Sequence, residues 1–190
     1  SVDDELTDLF DINADALPDL LVTGGSGFAG AHGVFFNGQG GLPDVFGTAQ
    51  RMPVFGVLGA DASVITLHNL NVAALDLDGD SVIDLLHMPT AKTYGIYRPK
   101  GSQYTYSWEG RSASTASDLS PKIDFGRDAE DLRVLDVNAD GLVDIVRSTG
   151  TEWQTYFSLG RLPDGNGQFG AGSWSSATTS RRTTEPVRTC

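Results

Sequence analysis

Cysteine is almost missing from this sequence: of 190 residues, only Cys190 is a cysteine. An intrachain disulfide and any metal or redox site built on paired cysteines are therefore excluded. Long apolar runs are missing as well, so no segment reads as a membrane-spanning helix and we expect no direct membrane insertion. No stretch of about 12 residues sustains the apolar spacing of a helix, which predicts a chain with almost no helix.

Positive charge is scarce. The chain has 13 Lys and Arg against 25 Asp and Glu, a formal net charge of -12, which argues against nucleic acid or an anionic membrane as partner. The negative charge is also clustered: 10 of the 25 acidic residues lie in three nine-residue segments, 11–19, 76–84 and 136–144. We call these segments loop 1, loop 2 and loop 3. Such clustering favours cation binding over a merely solvated acidic surface.

Turn-forming residues are plentiful, with 23 Gly and 8 Pro and many Ser, Thr, Asn and Asp. This composition is typical of many short strands joined by turns, and the length suits one sizeable domain. The sequence therefore predicts an all-β protein.

A repeat organises the chain. Residues 9–21 read LFDINADALPDLL, residues 74–86 read ALDLDGDSVIDLL and residues 134–146 read VLDVNADGLVDIV, so the copies begin 65 and then 60 residues apart. In each, an apolar strand end leads into D-x-[DN]-x-D-x-x-x-D and a second apolar run. Aromatic strands follow at 33–37, 94–98 and 153–158, and Phe-Gly pairs at 46–47, 125–126 and 169–170. Each repeat thus predicts about four short strands.

One four-stranded sheet cannot bury both of its faces alone, so neighbouring repeats must stack. Radial stacking of such sheets is a β-propeller, which closes with about 4–8 blades. Three repeats predict a partial propeller, an arc of a larger one, although open or oligomeric packing of the three units is the other possibility. The predicted blades span about residues 1–60, 61–125 and 126–172, followed by a polar tail or linker at 173–190. We expect the chain to be a piece of a longer protein.

The Asp loops have the chemistry of a calcium site. Oxygen ligands at positions 1, 3, 5 and 9, with the backbone carbonyl of position 7, wrap a hard cation, and an all-oxygen set suits Ca²⁺ rather than zinc. The predicted ligands are Asp11, Asn13, Asp15, Leu17 and Asp19 in loop 1, Asp76, Asp78, Asp80, Val82 and Asp84 in loop 2, and Asp136, Asn138, Asp140, Leu142 and Asp144 in loop 3.

These loops differ from an EF-hand, because the last carboxylate falls at position 9 instead of 12 and β-type apolar runs flank the loop. The alternative is that they are ordinary acidic turns, which three copies make less attractive. Position 6, where a left-handed backbone is easiest for glycine, holds Gly141 in loop 3 but Ala16 and Ser81 in the others. Loop 1 is therefore the weakest candidate, and we expect a structural rather than a catalytic role for the cation.

Enzyme motifs are weak. Gly25, Gly27 and Gly30 form G-x-G-x-x-G after an apolar strand, as in the nucleotide fingerprint of extended short-chain dehydrogenases. A β-like, glycine-broken segment follows where that fingerprint needs a helix, and no Tyr-x-x-x-Lys pair occurs. We therefore expect no nucleotide cofactor, no catalytic residues and no enzymatic activity. The aromatic residues could line a carbohydrate-binding surface, but core positions are favoured; they are Trp108, Trp153, Trp174, Tyr94, Tyr97, Tyr104 and Tyr106.

At its three Asp loops the chain resembles FG-GAP/VCBS repeats, the calcium-binding blades of integrin α-chains and many bacterial surface proteins. Residues 11–23, followed by an aromatic strand that ends at Asn37 and Gly38, more particularly resemble the propeller of SpvB/TcaC-type B components of bacterial Tc toxin complexes. That resemblance implies a secreted or surface-associated virulence protein whose propeller is a non-catalytic, calcium-stabilised scaffold for other protein subunits or for the rest of a larger propeller. The alternative is an adhesion or carbohydrate-binding module of the integrin-like FG-GAP type.

Overall fold

A computed structural model describes residues 6–24, 27–38, 41–42, 45–90, 93–102, 105–114, 131–148, 150–158 and 178–181. Gly25, Tyr104, Trp174, Cys190 and the Phe-Gly pairs at 125–126 and 169–170 lie outside these residues. The strands are β1 (Thr7–Phe10), β2 (Asp19–Val22), β3 (Ala31–Phe35), β4 (Gln50–Phe55), β5 (Val72–Leu75), β6 (Asp84–Thr90), β7 (Thr93–Ser102), β8 (Thr105–Ser114), β9 (Leu132–Leu135), β10 (Asp144–Ser148), β11 (Glu152–Tyr156) and β12 (Thr178–Arg181).

The described part of the chain contains no α-helix, which confirms the all-β prediction. The same residues accordingly include no helix that is long and apolar enough to cross a membrane. Strand character follows from the sequence pattern: in β2 the buried Asp19 and Leu21 alternate with the half-buried Leu20 and Val22, as neighbouring residues of a strand point to opposite faces.

Consecutive strands pair antiparallel in three groups of four. We call β1–β4 unit 1, β5–β8 unit 2 and β9–β12 unit 3. Units 1 and 2 join edge to edge, because the end of β4 pairs in parallel with β8 at Val54↔Trp108 and Phe55↔Glu109. The result is a curled eight-stranded sheet, β1-β2-β3-β4-β8-β7-β6-β5, and a second sheet, β12-β11-β10-β9. The strand β12 lies inside the segment for which the sequence predicted a polar tail or linker.

Two apolar cores lie between the units. The first core combines unit 1 with unit 2 and contains Ile12, Leu21, Val34, Phe36, Met52, Ala60, Ile65, Leu85, Tyr97 and Trp108. The second core combines unit 2 with unit 3 and contains Leu75, Leu77, Leu86, Met88, Tyr94, Ile96, Leu132, Ile145 and Tyr156. Because Leu85 and Leu86 are adjacent in β6 yet belong to different cores, unit 2 is buried on both faces.

The glycine-rich segment before β3 is a turn. Gly30 has φ +76, and the strand β3 rather than a helix begins at the next residue, Ala31. In β3, Gly33 packs against the ring of Phe28. A Cβ added at Gly33 would come within 2.1 Å of that ring. The described glycines of the motif, Gly27 and Gly30, therefore lie in a turn that leads into a strand and not into a helix.

Candidate metal centre

Each Asp loop connects the first two strands of its unit. Loop 1 joins β1 to β2, loop 2 joins β5 to β6 and loop 3 joins β9 to β10. The last position of each loop is also the first residue of the second strand, so the fold carries its carboxylate into the protein. These residues, Asp19, Asp84 and Asp144, are all 0% exposed.

The buried carboxylate holds the start of the loop against the sheet. One oxygen accepts the backbone N–H of loop position 2, at 3.1 Å from Ile12, 3.2 Å from Leu77 and 2.9 Å from Val137. The other oxygen accepts a donor from the third strand of the unit or from the residues just after it. This donor is Asn37 N in unit 1 at 2.9 Å, Ser158 N in unit 3 at 2.8 Å and the Arg98 Nε in unit 2 at 3.0 Å. A buried carboxylate needs such partners.

Two of these carboxyls have raised pKa values. Burial raises the pKa of Asp19 to about 6, against the opposing effect of the two backbone hydrogen bonds. Burial likewise raises the pKa of Asp84 to about 7, although the Arg98 guanidinium opposes the shift. Negative charge is therefore costly at the inner end of these loops, and a nearby cation would stabilise it.

The remaining loop positions form one conformation three times. The first carboxylate closes the turn by accepting the position-6 N–H, at 2.8 Å from Ala16, 2.8 Å from Ser81 and 2.9 Å from Gly141. The position-5 carboxylate accepts the position-7 N–H at 2.9 Å in every loop. The repeated pattern read from the sequence is thus a repeated hydrogen-bonded structure.

Backbone conformation explains part of the residue choice. Position 6 is left-handed in all three loops, with φ 66 at Ala16, 68 at Ser81 and 86 at Gly141. Position 4 is left-handed too, with φ 60 at Ala14 and Ala139. Glycine at position 6 of loop 3 indicates the left-handed backbone from the sequence, whereas the alanines at position 4 of loops 1 and 3 give no such signal.

Loop 2 contains the group that could hold a metal ion. One carboxylate oxygen from each of Asp76, Asp78 and Asp84 lies within 4.8 Å of the others. Among the residues that the structure describes, no other trio of His, Cys, Asp or Glu meets this distance. Loops 1 and 3 have an amide at position 3, and its Nδ2 donates to the position-5 carboxylate at 2.9 Å from Asn13 and 2.8 Å from Asn138.

Arg98 was missed by the sequence analysis. It lies in β7, and its guanidinium enters loop 2 to contact Asp78 Oδ2 at 3.1 Å, Asp84 Oδ1 at 3.0 Å and Asp80 Oδ2. No local spacing links an arginine to an Asp loop that ends 14 residues earlier. Only the pairing of β6 with β7 brings them together.

His32 and three aromatic residues of the cores are buried. His32 is fully buried, its Nε2 lies 3.3 Å from the Ala62 carbonyl oxygen, and burial lowers its pKa to about 4. Tyr94, Tyr97 and Trp108 are buried in the cores and are not available to stack on a sugar.

No protein-family model matches the chain, and no curated protein matches it. Among solved structures, the chain is similar to part of the Photorhabdus luminescens Tc holotoxin pore, with a TM-score of 0.60 and 14% identity over 96% of this chain. The match spans 7% of that toxin chain. The similarity shows that the two segments share a fold.

Proposed function

We propose that this chain is a non-catalytic scaffold, an arc of a larger β-propeller whose Asp loops bind Ca²⁺, and that it binds other protein subunits of a secreted bacterial toxin complex. One observation carries the proposal. The same hydrogen-bonded Asp loop opens three successive four-stranded units, and the middle unit is buried on both faces. An inner blade of a propeller would likewise be covered on both faces, which supports the proposal.

The end units support a larger assembly. In unit 1, Leu9 is 40% exposed, and in unit 3, Leu135 and Trp153 are 46% and 38% exposed. Their strand partners place all three on the faces turned away from the two cores. Exposed apolar residues on such a face favour contact with another protein surface, and a further blade or a partner subunit would bury them.

Calcium suits the charge of the loops. Each loop gathers three or four carboxylates in nine residues, and their mutual repulsion falls when an oxygen-ligated cation lies between them. At a free calcium concentration of about ten times Kd, each occupied site stabilises the fold by about 1.4 kcal/mol. Extracellular modules bind with a Kd of about 10⁻⁴–10⁻³ M, so the role fits a secreted protein.

The toxin-complex part of the proposal is supported by the fold shared with a segment of the Photorhabdus Tc holotoxin. It is also supported by the resemblance of residues 11–23 to the propeller of Tc toxin B components. Both point to a scaffold whose partners are proteins.

Thermal unfolding in EDTA and then in about 5 mM Ca²⁺, above the Kd typical of extracellular modules, tests the calcium role. We expect calcium to raise Tm by several degrees, and the double variant Asp15→Asn, Asp140→Asn to lose most of that rise. Both carboxylates are exposed and bond only within their own loops, so the variants remove ligands without opening a core. Asp61→Asn, in a turn outside the loops, is the matched control and should keep the rise. Equal Tm values for the wild type in EDTA and calcium would rule out the calcium role.

A further inference from the structure

Loop 2 differs from loops 1 and 3 at two places that are far apart in sequence and touch in space. Position 3 is Asp78 in loop 2, whereas it is Asn13 and Asn138 in the others. The register pairs Leu85 with Tyr97, Leu20 with Phe35 and Ile145 with Tyr156. One residue further on, the buried carboxylate faces the position of Arg98 in unit 2, and the positions of Phe36 and Phe157 in units 1 and 3. Asp78 and Arg98, the two residues specific to loop 2, form an ion pair in which Arg98 Nη2 lies 3.1 Å from Asp78 Oδ2.

The charges of the three loops match only when Arg98 is counted. Loops 1 and 3 carry three carboxylates each and loop 2 carries four. Four carboxylates and one guanidinium give loop 2 a formal charge of -3, equal to that of each other loop. Arg98 therefore offsets the charge that Asp78 adds.

The residue after Arg98 supplies an independent reason for its position. In units 1 and 3 the buried carboxylate accepts a backbone N–H from Asn37 and Ser158. The corresponding residue in unit 2 is Pro99, which has no N–H to donate. The Nε of Arg98 donates to Asp84 Oδ1 at 3.0 Å instead. The side chain thus replaces a missing backbone donor and brings a positive charge into the loop.

We propose that Arg98 is the resident cation of loop 2: its guanidinium, paired with Asp78, Asp80 and Asp84, takes the place of a metal ion in this loop, and calcium enters only after Arg98 has left. The part concerning calcium rests on the proposed function of the loops. A cavity of about 510 Å³ borders Arg98, Asp80 and Arg111 and gives the displaced side chain room. Loop 2 is then held together without a metal ion, and loops 1 and 3 respond to calcium.

The first measurement compares metal-free stability in EDTA. Arg98→Met keeps a long apolar stem and removes the charge, so it leaves four carboxylates without their cation. We expect its Tm to fall by about 5 °C relative to the wild type. Arg111→Met removes an exposed arginine from β8 on the same cavity and should leave Tm unchanged. An Arg98→Met variant as stable in EDTA as the wild type overturns the proposal.

The second measurement counts calcium sites by isothermal titration calorimetry with CaCl₂ on the whole chain. We expect Arg98→Met to bind one calcium ion more than the wild type, and Arg111→Met to bind the same number as the wild type. Wild-type protein with three equivalent sites overturns the proposal. If no variant binds calcium, the proposed function fails, while the EDTA measurement still decides whether Arg98 stabilises the loop.

A triple variant covers the case in which Arg98→Met does not fold. The triple variant gives unit 2 the residues that unit 1 has at the corresponding positions, Asn13, Phe36 and Asn37. Its substitutions are Asp78→Asn, Arg98→Phe and Pro99→Asn. This variant should fold in EDTA, since replacing Pro99 restores a backbone N–H that can bond Asp84, and should gain the same additional calcium site. A folded triple variant without that site overturns the proposal.

Discussion

Replacing Asp144 by alanine separates the two roles of an Asp loop. Its side chain is fully buried, and its oxygens accept the N–H groups of Val137 at 2.9 Å and Ser158 at 2.8 Å. Each buried donor left without a partner costs about 1–3 kcal/mol, so Asp144→Ala should destabilise the protein by about 3 kcal/mol even without calcium. Asp140, by contrast, is exposed and bonds only within loop 3, so Asp140→Ala should cost less than about 1 kcal/mol in EDTA.

Urea unfolding followed by tryptophan fluorescence, in EDTA and in calcium, measures both free energies. In EDTA the midpoint of Asp144→Ala should lie well below that of Asp140→Ala. The calcium-dependent gain should fall by the contribution of one site in both variants, because each loses one predicted ligand of loop 3. Equal unfolding free energies for the two variants in EDTA would refute the reasoning, since they would mean that the buried hydrogen bonds of Asp144 contribute no more than an exposed turn.

Two further predictions follow from backbone conformation and from burial. Ala16→Gly should stabilise the protein by about 0.5–1 kcal/mol and Gly141→Ala should destabilise it by a similar amount in urea unfolding, because both positions are left-handed. Burial lowers the pKa of His32 from 6.5 to about 4. Between these two pH values the imidazole of the unfolded chain binds a proton that the folded chain does not bind. The free energy of unfolding therefore falls as pH drops from about 6.5 to about 4, by about 3 kcal/mol in total. The raised pKa values of Asp19 and Asp84 act in the opposite direction, so the effect is measured as the difference from His32→Gln; no difference between pH 7 and pH 4 would contradict it.

The sequence by itself determined the strands and the form of the Asp loops. Each loop is a local structure, since the position-1 and position-5 carboxylates bond N–H groups at most five residues away. Apolar runs on both sides set the strands, and the repetition of the pattern marks three equivalent units. Local chemistry of this kind can be read from nine consecutive residues.

Only the tertiary structure decided how the units contact one another and what fills loop 2. The pairing of Val54 with Trp108 and the division of Leu85 and Leu86 between two cores depend on contacts across units. The entry of Arg98 into loop 2 depends on the register of β6 with β7. Because a shift of one residue in that register would turn the side chain to the opposite face, the resident cation follows from long-range strand pairing that no local pattern records.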